Sequence, residues 1–123
     1  MRYVDGFLLP VPKKNIAAYR RIAAKAGKVW MKYGALAYIE AVGEDVSRQK
    51  GWEGPEFPKL AGCKPTDTVI FSFIIFKSRK HRDQVNKKVM KDPFMNNPKM
   101  KESLMPFDVK KMAYGGFKAI VDL

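Results

Sequence analysis

The stretch that decides the fold is residues 68–76, with the sequence TVIFSFIIF. Nearly every position is apolar and many residues are β-branched or aromatic, which predicts a strand, and the run is too short for a convincing helix. Side chains alternate between the two faces of a strand, so Phe71 and Phe73 share one apolar face and Ile74 lies on the other, which is also apolar. Both faces must be removed from water, which requires a layer of protein on each side.

Three further strands and two helices are predicted around this strand. Alternating apolar residues and turn residues place the strands, and apolar residues at three-and-four spacing place the helices. The predicted strands cover residues 3–11, 36–46 and 112–121, and the predicted helices cover residues 15–33 and 78–92. Gly115 and Gly116 interrupt the last strand, which indicates a bulge or a close backbone approach.

The order strand, helix, strand, strand, helix, strand predicts a ferredoxin-like α+β fold with an antiparallel sheet and two helices on one face. The first and third strands are apolar on both sides, so we place them at the centre of the sheet and expect them to run parallel to each other. A chain of 123 residues has no room for a second core, so a single domain over residues 1–123 is expected. We expect another copy of the chain to cover the second face of the sheet.

Composition favours a soluble globular protein, with 46% hydrophobic and 29% charged residues. The longest apolar run is far too short to span a membrane, and the first residues lack the apolar core of a signal peptide. A cytoplasmic protein without membrane contact is therefore expected.

The residue types that bind metals and cofactors are scarce. The single cysteine, Cys63, excludes an internal disulfide, and the single histidine, His81, excludes a metal cluster or a triad built around histidine. Haem ligation by His81 is a weaker interpretation than a packing or surface role, and no cofactor or metal is expected. Lys64 could favour a thiolate at Cys63, although a spare surface thiol is the preferred interpretation.

Two acids lie within predicted strands, where burial of a carboxylate is costly unless it is paired or hydrogen-bonded. Asp5 shares its face with the rings of Tyr3 and Phe7, so it is either a proton acceptor or ligand anchor, or a structural carboxylate bonded to the backbone or to Tyr114. Glu40 is open to the same two interpretations. The candidate catalytic residues are therefore Asp5, Glu40 and Tyr114.

A ligand pocket between the sheet and the helices would be lined by aromatic, sulfur-containing and small residues near these acids. Its candidate residues are Tyr38, Phe107, Met105 and Gly115. Methionines cluster in the same part of the sequence, at positions 90, 95, 100, 105 and 112. Methionine fills irregular apolar space, so this cluster indicates either loosely packed core or the lining of a pocket for a flat apolar ligand.

The net charge of +12 raises the question of a polyanion partner. Basic residues gather on the second helix, and the candidates for binding a polyanion are Lys80, Arg82, Lys87 and Lys88. Such runs more often mark a solvated helix face. RNA stacking on the sheet is a further alternative, because residues 71–76 resemble half of a strand motif of RNA-recognition domains and Tyr3 lies near the position of their strand-one aromatic. Val69 and Ile70 replace the basic residue and glycine of that motif, so nucleic acid is not the preferred partner.

Several short motifs occur in a fixed order along the chain: YVDGF (3–7), AYR (18–20), AAKA (23–26), YGAL (33–36), Glu40, Phe71-Ser72, Arg82-Asp83, Asp92-Pro93, MPFD (105–108), Lys111-Met112 and YGGF (114–117). Through these motifs the chain as a whole resembles the YbaA-like family of uncharacterised bacterial proteins. The sequence departs from the family pattern in the 47–65 loop and at His81, where an aliphatic residue is usual.

This resemblance implies a dimeric α+β barrel, in which the sheets of two subunits pack face to face. Relatives in that superfamily include cofactor-free monooxygenases, haem-degrading enzymes and small-molecule isomerases. The YbaA-like family itself has no established activity, so no catalytic residue is carried over to this chain.

The sequence therefore predicts a homodimer, formed through the sheet face, that binds a small apolar or acidic ligand or acts as a cofactor-independent enzyme-like protein on an unknown substrate. The alternatives are a polyanion- or RNA-binding module that uses the basic helices, and a protein with only a structural dimeric role. Whether the chain catalyses any reaction is left open by its sequence.

Overall fold

The computed structural model describes residues 1–47, 50–97 and 106–123. In these ranges the fold is α+β, with a four-stranded sheet and three helices. The strands are β1 (Tyr3–Pro12), β2 (Ala37–Val42), β3 (Asp67–Phe76) and β4 (Ala113–Lys118), and the helices are α1 (Ile16–Lys32), α2 (Phe57–Leu60) and α3 (Arg79–Met90). Two 3₁₀ turns, Lys13–Asn15 and Val109–Lys111, precede α1 and β4.

The sheet has the strand order β2-β3-β1-β4, and each neighbouring pair is antiparallel. The central position of β1 and β3 is confirmed, but the expectation that they run parallel is wrong. Tyr3 pairs with Phe76 and Pro12 with Asp67, so the two strands run in opposite directions. The strands that run parallel are instead β1 with β2, on either side of β3, and β3 with β4, on either side of β1.

The ends of the helices agree with the sequence signals at Ser78 and Gly34, but the N-cap that the sequence indicates at Asn15 does not form. Ser78 caps α3, and its Oγ accepts a hydrogen bond of 3.1 Å from the backbone N–H of His81. Asn15 precedes α1 but makes no side-chain cap; its amide donates instead to the carbonyl of Pro106 at 2.9 Å. Gly34 follows α1 with a φ of +112°, a backbone conformation that glycine adopts without a steric cost.

A buried carboxylate, Asp92, joins the far ends of α1 and α3. It accepts a hydrogen bond of 2.7 Å from the Tyr33 hydroxyl and one of 2.9 Å from the backbone N–H of Phe94. These hydrogen bonds, of which that from Tyr33 contributes most, hold the pKa of Asp92 below its usual value. The two helices are thus fixed to each other as well as to the sheet.

The helix side of the sheet carries the hydrophobic core. Tyr19, Ala23 and Ala26 of α1, which recur at the three- and four-residue spacing that predicts the helix, are buried against the sheet. Two clusters of buried residues fill this side, one made of Leu9, Val11, Tyr19, Ala23 and Ile70, the other of Tyr3, Ala35, Ile74, Phe76, Val85 and Val89. The helix-facing half of β3 is therefore well covered.

The opposite side, which we call the open face, carries only apolar side chains between the ends of its strands. It is formed by Val4, Gly6, Leu8, Ala37, Ile39, Ala41, Val69, Phe71, Phe73, Ile75, Ala113, Gly115 and Phe117. Phe71 is 46% exposed and Phe117 62% exposed. Within the ranges that the structure describes, no helix covers this surface except α2 at one edge, where Phe57 contacts Phe71 with ring centroids 6.0 Å apart.

The last strand is shorter than predicted, and Gly115 and Gly116 do not form a bulge. The pairing of β4 with β1 runs without interruption from Ala113 opposite Leu8 to Lys118 opposite Tyr3. Beyond the strand, an ion pair between Arg2 and Asp122 holds the chain beside the start of β1.

Among the described helices, none is both long enough and apolar enough to cross a membrane.

Two leucines of contrasting exposure test this description of the core. Leu9 is 1% exposed on the helix side, and Leu60 in α2 is 60% exposed. We expect Leu9→Ala to lower the free energy of unfolding by about 2–5 kcal/mol, because it removes buried methyl groups and leaves a cavity. Leu60→Ala, the matched control, changes it by at most about 0.5 kcal/mol. Urea unfolding followed by circular dichroism measures both values, and an equal loss in the two variants would contradict the assignment of the core.

Candidate functional site

Both strand carboxylates lie on the helix side of the sheet, in separate networks. Asp5 is on β1 and Glu40 on β2, with β3 between them. Asp5 pairs with Ile74 of β3 and Glu40 pairs with Ser72, so the two acids are offset along β3 as well as across it. Their environments differ in one decisive respect, the presence of a cation.

Asp5 is fully buried and is paired with a cation. It is 1% exposed, and its Oδ1 lies 3.6 Å from Nη1 of Arg82. Its Oδ2 accepts hydrogen bonds of 3.2 Å from the Tyr114 hydroxyl and from the side-chain amide of Asn86. The sequence interpretation of Asp5 as a carboxylate bonded to Tyr114 agrees with this geometry.

Arg82 is the centre of this network rather than a surface residue. Its guanidinium donates to the hydroxyls of Tyr114 at 2.9 Å and Tyr3 at 3.2 Å, and it lies over the Tyr3 ring. Burial, the largest single effect, lowers the pKa of Arg82, but the charges of Asp5, Tyr114, Tyr3 and Asp83 together outweigh it, and the pKa lies above its ordinary value. Arg82 therefore keeps its positive charge beside the Asp5 carboxyl group.

Glu40 is held by two tyrosines instead of a cation. The Tyr19 hydroxyl donates to Oε1 at 2.7 Å and the Tyr38 hydroxyl donates to Oε2 at 2.6 Å. Burial raises the pKa of both phenols, and the nearby carboxylate raises it further. Both phenols therefore keep their protons at neutral pH and act as donors to Glu40.

The approach of Tyr38 depends on a glycine in the middle of α1. A Cβ at Gly27 would lie 2.6 Å from Cδ1 of the Tyr38 ring, closer than real contacts allow. A glycine inside a helix costs about 1 kcal/mol relative to alanine, so its presence here has a packing reason. It lets the ring lie flat against the helix with the hydroxyl directed at Glu40.

A cavity of about 180 Å³, which we call the α1 cavity, lies beside Glu40 between α1 and the sheet. Three adjacent strands supply Phe7, Ser72 and Glu40 to its floor, where Ser72 pairs with both of the others. The rest of the lining is Tyr19, Ile22, Ala23, Ala26, Trp30, Tyr38, Ile74, Met95, Phe107 and Met112. The cavity is thus apolar and aromatic, with one carboxylate at its polar end.

A family model described as "Protein of unknown function (DUF1428)" matches residues 2–109 of the chain. Uncharacterized protein YbaA of Escherichia coli (strain K12) is 40% identical over 124 residues, which cover 99% of each chain. Uncharacterized protein YbaA of Shigella flexneri is similar to the same extent. The chain belongs to the DUF1428 family, the family of this model. The family resemblance of the sequence is confirmed, and because these descriptions assign no function, the chemistry of the site has to be argued from its own residues.

The structure brings three of the predicted site residues together at the α1 cavity, namely Glu40, Tyr38 and Phe107. Asp5 and Tyr114 also meet, but neither is among the residues that line this cavity. Gly115 lies on the open face, away from the other candidates. Met105 and Met100 lie outside the described residues.

Sequence reasoning did not single out Tyr19, Ser72 or Trp30 as site residues. Tyr19 and Trp30 fall within the apolar three-and-four pattern that predicts α1, and their polar atoms carry no signal in a hydrophobicity pattern. The available signal was Glu40 in the middle of a strand, since a partly buried carboxylate needs donors from the helix packed over it.

The basic residues divide between the surface and the interior. Lys80, Lys87 and Lys88 are exposed on α3, whereas Arg82 is directed inward to Asp5. Tyr3 faces the helices, so it does not share a surface with Phe71 and Phe73 on the open face, as base stacking on the sheet would require.

The two residues with the most reactive side chains have local structural roles. Nδ1 of His81 accepts a hydrogen bond of 3.0 Å from the backbone N–H of Lys77, and its ring packs edge-on against Phe76. Burial, and then the charge of Asp67, raises the pKa of the Cys63 thiol, which is the opposite of the effect expected from Lys64. Among the described residues, no group of three histidine, cysteine or acidic side chains is placed to hold a metal ion.

Neighbouring glycines of β4 test the Arg82 network. A Cβ at Gly116 would lie 2.5 Å from the Tyr3 hydroxyl and 2.9 Å from Nη2 of Arg82, whereas a Cβ at Gly115 would meet nothing closer than 3.6 Å. We expect Gly116→Ala to lower the free energy of unfolding by about 1–3 kcal/mol, because the side chains around Asp5 must move. Gly115→Ala, on the same strand, lacks this clash and is the control. Urea unfolding measures both, and equal values would show that the close approach at Gly116 has no energetic consequence.

Proposed function

We propose that this protein binds a small molecule in the α1 cavity and that it does so as a homodimer. The observation that carries the proposal is an apolar, aromatic cavity that ends at a carboxylate fixed by two phenols. Cavities of this kind, with a few placed polar groups in an otherwise apolar lining, are typical of ligand sites.

The volume of the cavity sets the size of the ligand. An engineered apolar cavity of about 150 Å³ in another protein binds benzene. At about 180 Å³ the α1 cavity has room for a single six-membered ring with a small substituent. The rings of Trp30, Tyr38 and Phe107 provide the flat apolar surfaces that such a ligand would contact.

Binding is better supported than proton transfer. Each oxygen of Glu40 already accepts a short hydrogen bond from a tyrosine, and the pKa of each phenol is raised, so the cluster holds its protons firmly. A general base has to take a proton from the substrate, whereas both oxygens of Glu40 are already engaged by phenols that keep their own protons. The arrangement at Glu40 fits an anchor for a ligand.

The dimer part of the proposal rests on the open face. Its strand positions carry only alanine, glycine, valine, leucine, isoleucine and phenylalanine, and they form a shallow concavity of about 740 Å³. A continuous apolar surface of this kind is typical of an interface between proteins. The net charge of +12 lies on other surfaces of the chain and does not make this face more soluble. Two ferredoxin-like domains, each a single unit over residues 1–123, would bury the surface by packing sheet on sheet around a two-fold axis.

Binding in the α1 cavity is tested by filling it. Toluene and phenol, each a single ring, serve as probes in an NMR titration that follows chemical shifts of the protein. We expect Ala26→Leu to weaken their binding by about tenfold or more, since a loss of 1.4 kcal/mol corresponds to tenfold. Ala24→Leu is the control, because Ala24 is exposed on the outer side of α1 while Ala26 lines the cavity. Equal binding by both variants, with both folded, would place the probes elsewhere and contradict the proposed site.

The dimer is tested by measuring mass in solution. Sedimentation equilibrium at micromolar concentration is expected to give twice the chain mass of 14.0 kDa for the wild type. Phe71→Glu places a charge in the middle of the open face and is expected to yield a folded monomer, because an unpaired charge cannot be buried there. Met31→Glu, on the exposed side of α1, is expected to remain dimeric. A monomeric wild type would refute the dimer but would not bear on the proposal that the α1 cavity binds a ligand.

A further inference from the structure

We infer that the ligand of the α1 cavity presents a hydrogen-bond donor, a hydroxyl or a protonated amine on a ring-sized apolar body, to the carboxylate of Glu40. This inference rests on the proposed function, since it requires a ligand in the cavity. It specifies the chemistry of that ligand and excludes the acidic class that the sequence had left open.

The first argument is a count of donors and acceptors at the polar end of the cavity. A carboxylate has about four acceptor sites, and a tyrosine hydroxyl has a single proton to donate. Tyr19 and Tyr38 each donate their one hydroxyl hydrogen bond to Glu40, which leaves the carboxylate with unused acceptor sites. The phenol oxygens themselves retain acceptor capacity and no further donor. This end of the cavity therefore offers acceptors, and a matching ligand has to donate.

The other polar groups of the lining do not reverse this balance. Trp30 contacts the cavity, but its indole N–H donates to the side-chain carbonyl of Asn86 at 2.9 Å, outside the lining. Ser72 lies beside Glu40 in the sheet and its hydroxyl can donate or accept as it rotates. A ligand hydroxyl could therefore donate to Glu40 and accept from Ser72, whereas a carboxylate ligand would place its oxygens against those of Glu40.

The second argument is charge. The other strand carboxylate, Asp5, has Arg82 within 3.6 Å, whereas among the described residues no lysine or arginine forms an ion pair with Glu40. Hydrogen bonds from neutral phenols stabilise the carboxylate but do not neutralise it. A ligand that donates a hydrogen bond to this carboxylate, or that carries a positive charge, is therefore favoured, and an anion is repelled.

The aromatic lining makes both kinds of donor acceptable. The rings of Trp30, Tyr38 and Phe107 suit the flat face of a phenol-like ligand, and they also attract an ammonium group that lies over a ring face. The shared feature is the donor group, so the test has to separate the neutral donor from the charged one.

Four probes of similar size isolate the donor. Toluene has no polar group, phenol is a neutral donor, benzylamine is a cationic donor and benzoate is an anion without a donor. Calorimetric or NMR titration of the full chain is expected to rank phenol or benzylamine at least about tenfold above toluene, because a hydrogen bond to a charged group contributes roughly 1.5–3 kcal/mol. Benzoate is expected to bind most weakly. The stronger of the two donors identifies a hydroxyl or an amine as the natural group.

Variants then assign the preference to Glu40. Glu40→Gln is expected to reduce the advantage of the donor probes over toluene to within about threefold, which corresponds to less than 1 kcal/mol, while toluene still binds. The control is Glu44→Gln, which removes the same charge from an exposed residue and is expected to keep the full preference. Tyr38→Phe frees one carboxylate oxygen without removing the ring, so the preference is expected to persist or to grow. This second variant tests the inference even where Glu40→Gln fails to fold.

The outcomes separate this inference from the proposed function. Equal binding of toluene, phenol and benzylamine would overturn the donor inference and leave a ligand cavity in place. Tightest binding of benzoate, or an unchanged donor preference in Glu40→Gln, would also overturn it. If none of the four probes binds, the proposed cavity function fails, and the donor inference fails with it.

Discussion

The structure depends on the position of β3, a strand that is apolar on both faces and lies between β2 and β1. Its helix-facing residues alternate as Ile70, Ser72, Ile74 and Phe76, so Ser72 is the one small polar residue in a row of large apolar ones. Across from it, α1 presents the small side chains of Ala23 and Ala26. The α1 cavity lies where small residues of the helix face a small residue of the sheet, because neither side fills the space between them. The same strand that anchors the core therefore also creates the gap in it.

Two carboxylates on one side of this sheet are stabilised in different ways, and this difference is why the proposed ligand site is placed at Glu40 and not at Asp5. Asp5 is surrounded by Arg82, Asn86 and Tyr114, a set that joins β1 to α3 and β4. The carboxyl group is therefore paired with a cation and fixed by hydrogen bonds. Removing one partner of such a buried pair is costly, which is typical of a structural role. Glu40 has only phenols around it and adjoins empty volume. Of the two acids, it is the one that a second molecule can still reach.

Local patterns were sufficient to predict the strands and the main helices, since each depends on neighbouring residues. The direction of β1 relative to β3 was not predicted correctly, because hydrophobicity places a strand at the centre of a sheet without fixing its direction. The basic run on α3 predicts a surface position for Arg82. However, Arg82 shares its helix face with Val85 and Val89 at three- and seven-residue spacing, which indicates that its side chain is directed toward the sheet. Contacts such as Trp30 with Asn86 join residues far apart in sequence, and no local pattern encodes them.

The α1 cavity and the open face are on opposite sides of the sheet, yet they share a residue. Phe7 lines the cavity and also the concavity of the open face, and its ring packs against that of Tyr114 at 5.0 Å between centroids. Tyr114 is in turn fixed by Asp5 and Arg82. Because Phe7 pairs with Ser72 and Tyr114, its side chain lies on the helix side, and a subunit docked on the open face would lie against the strand backbone behind this wall of the cavity. One layer of sheet therefore separates the two surfaces, and the backbone of β1 is the element that borders both the cavity and the open face.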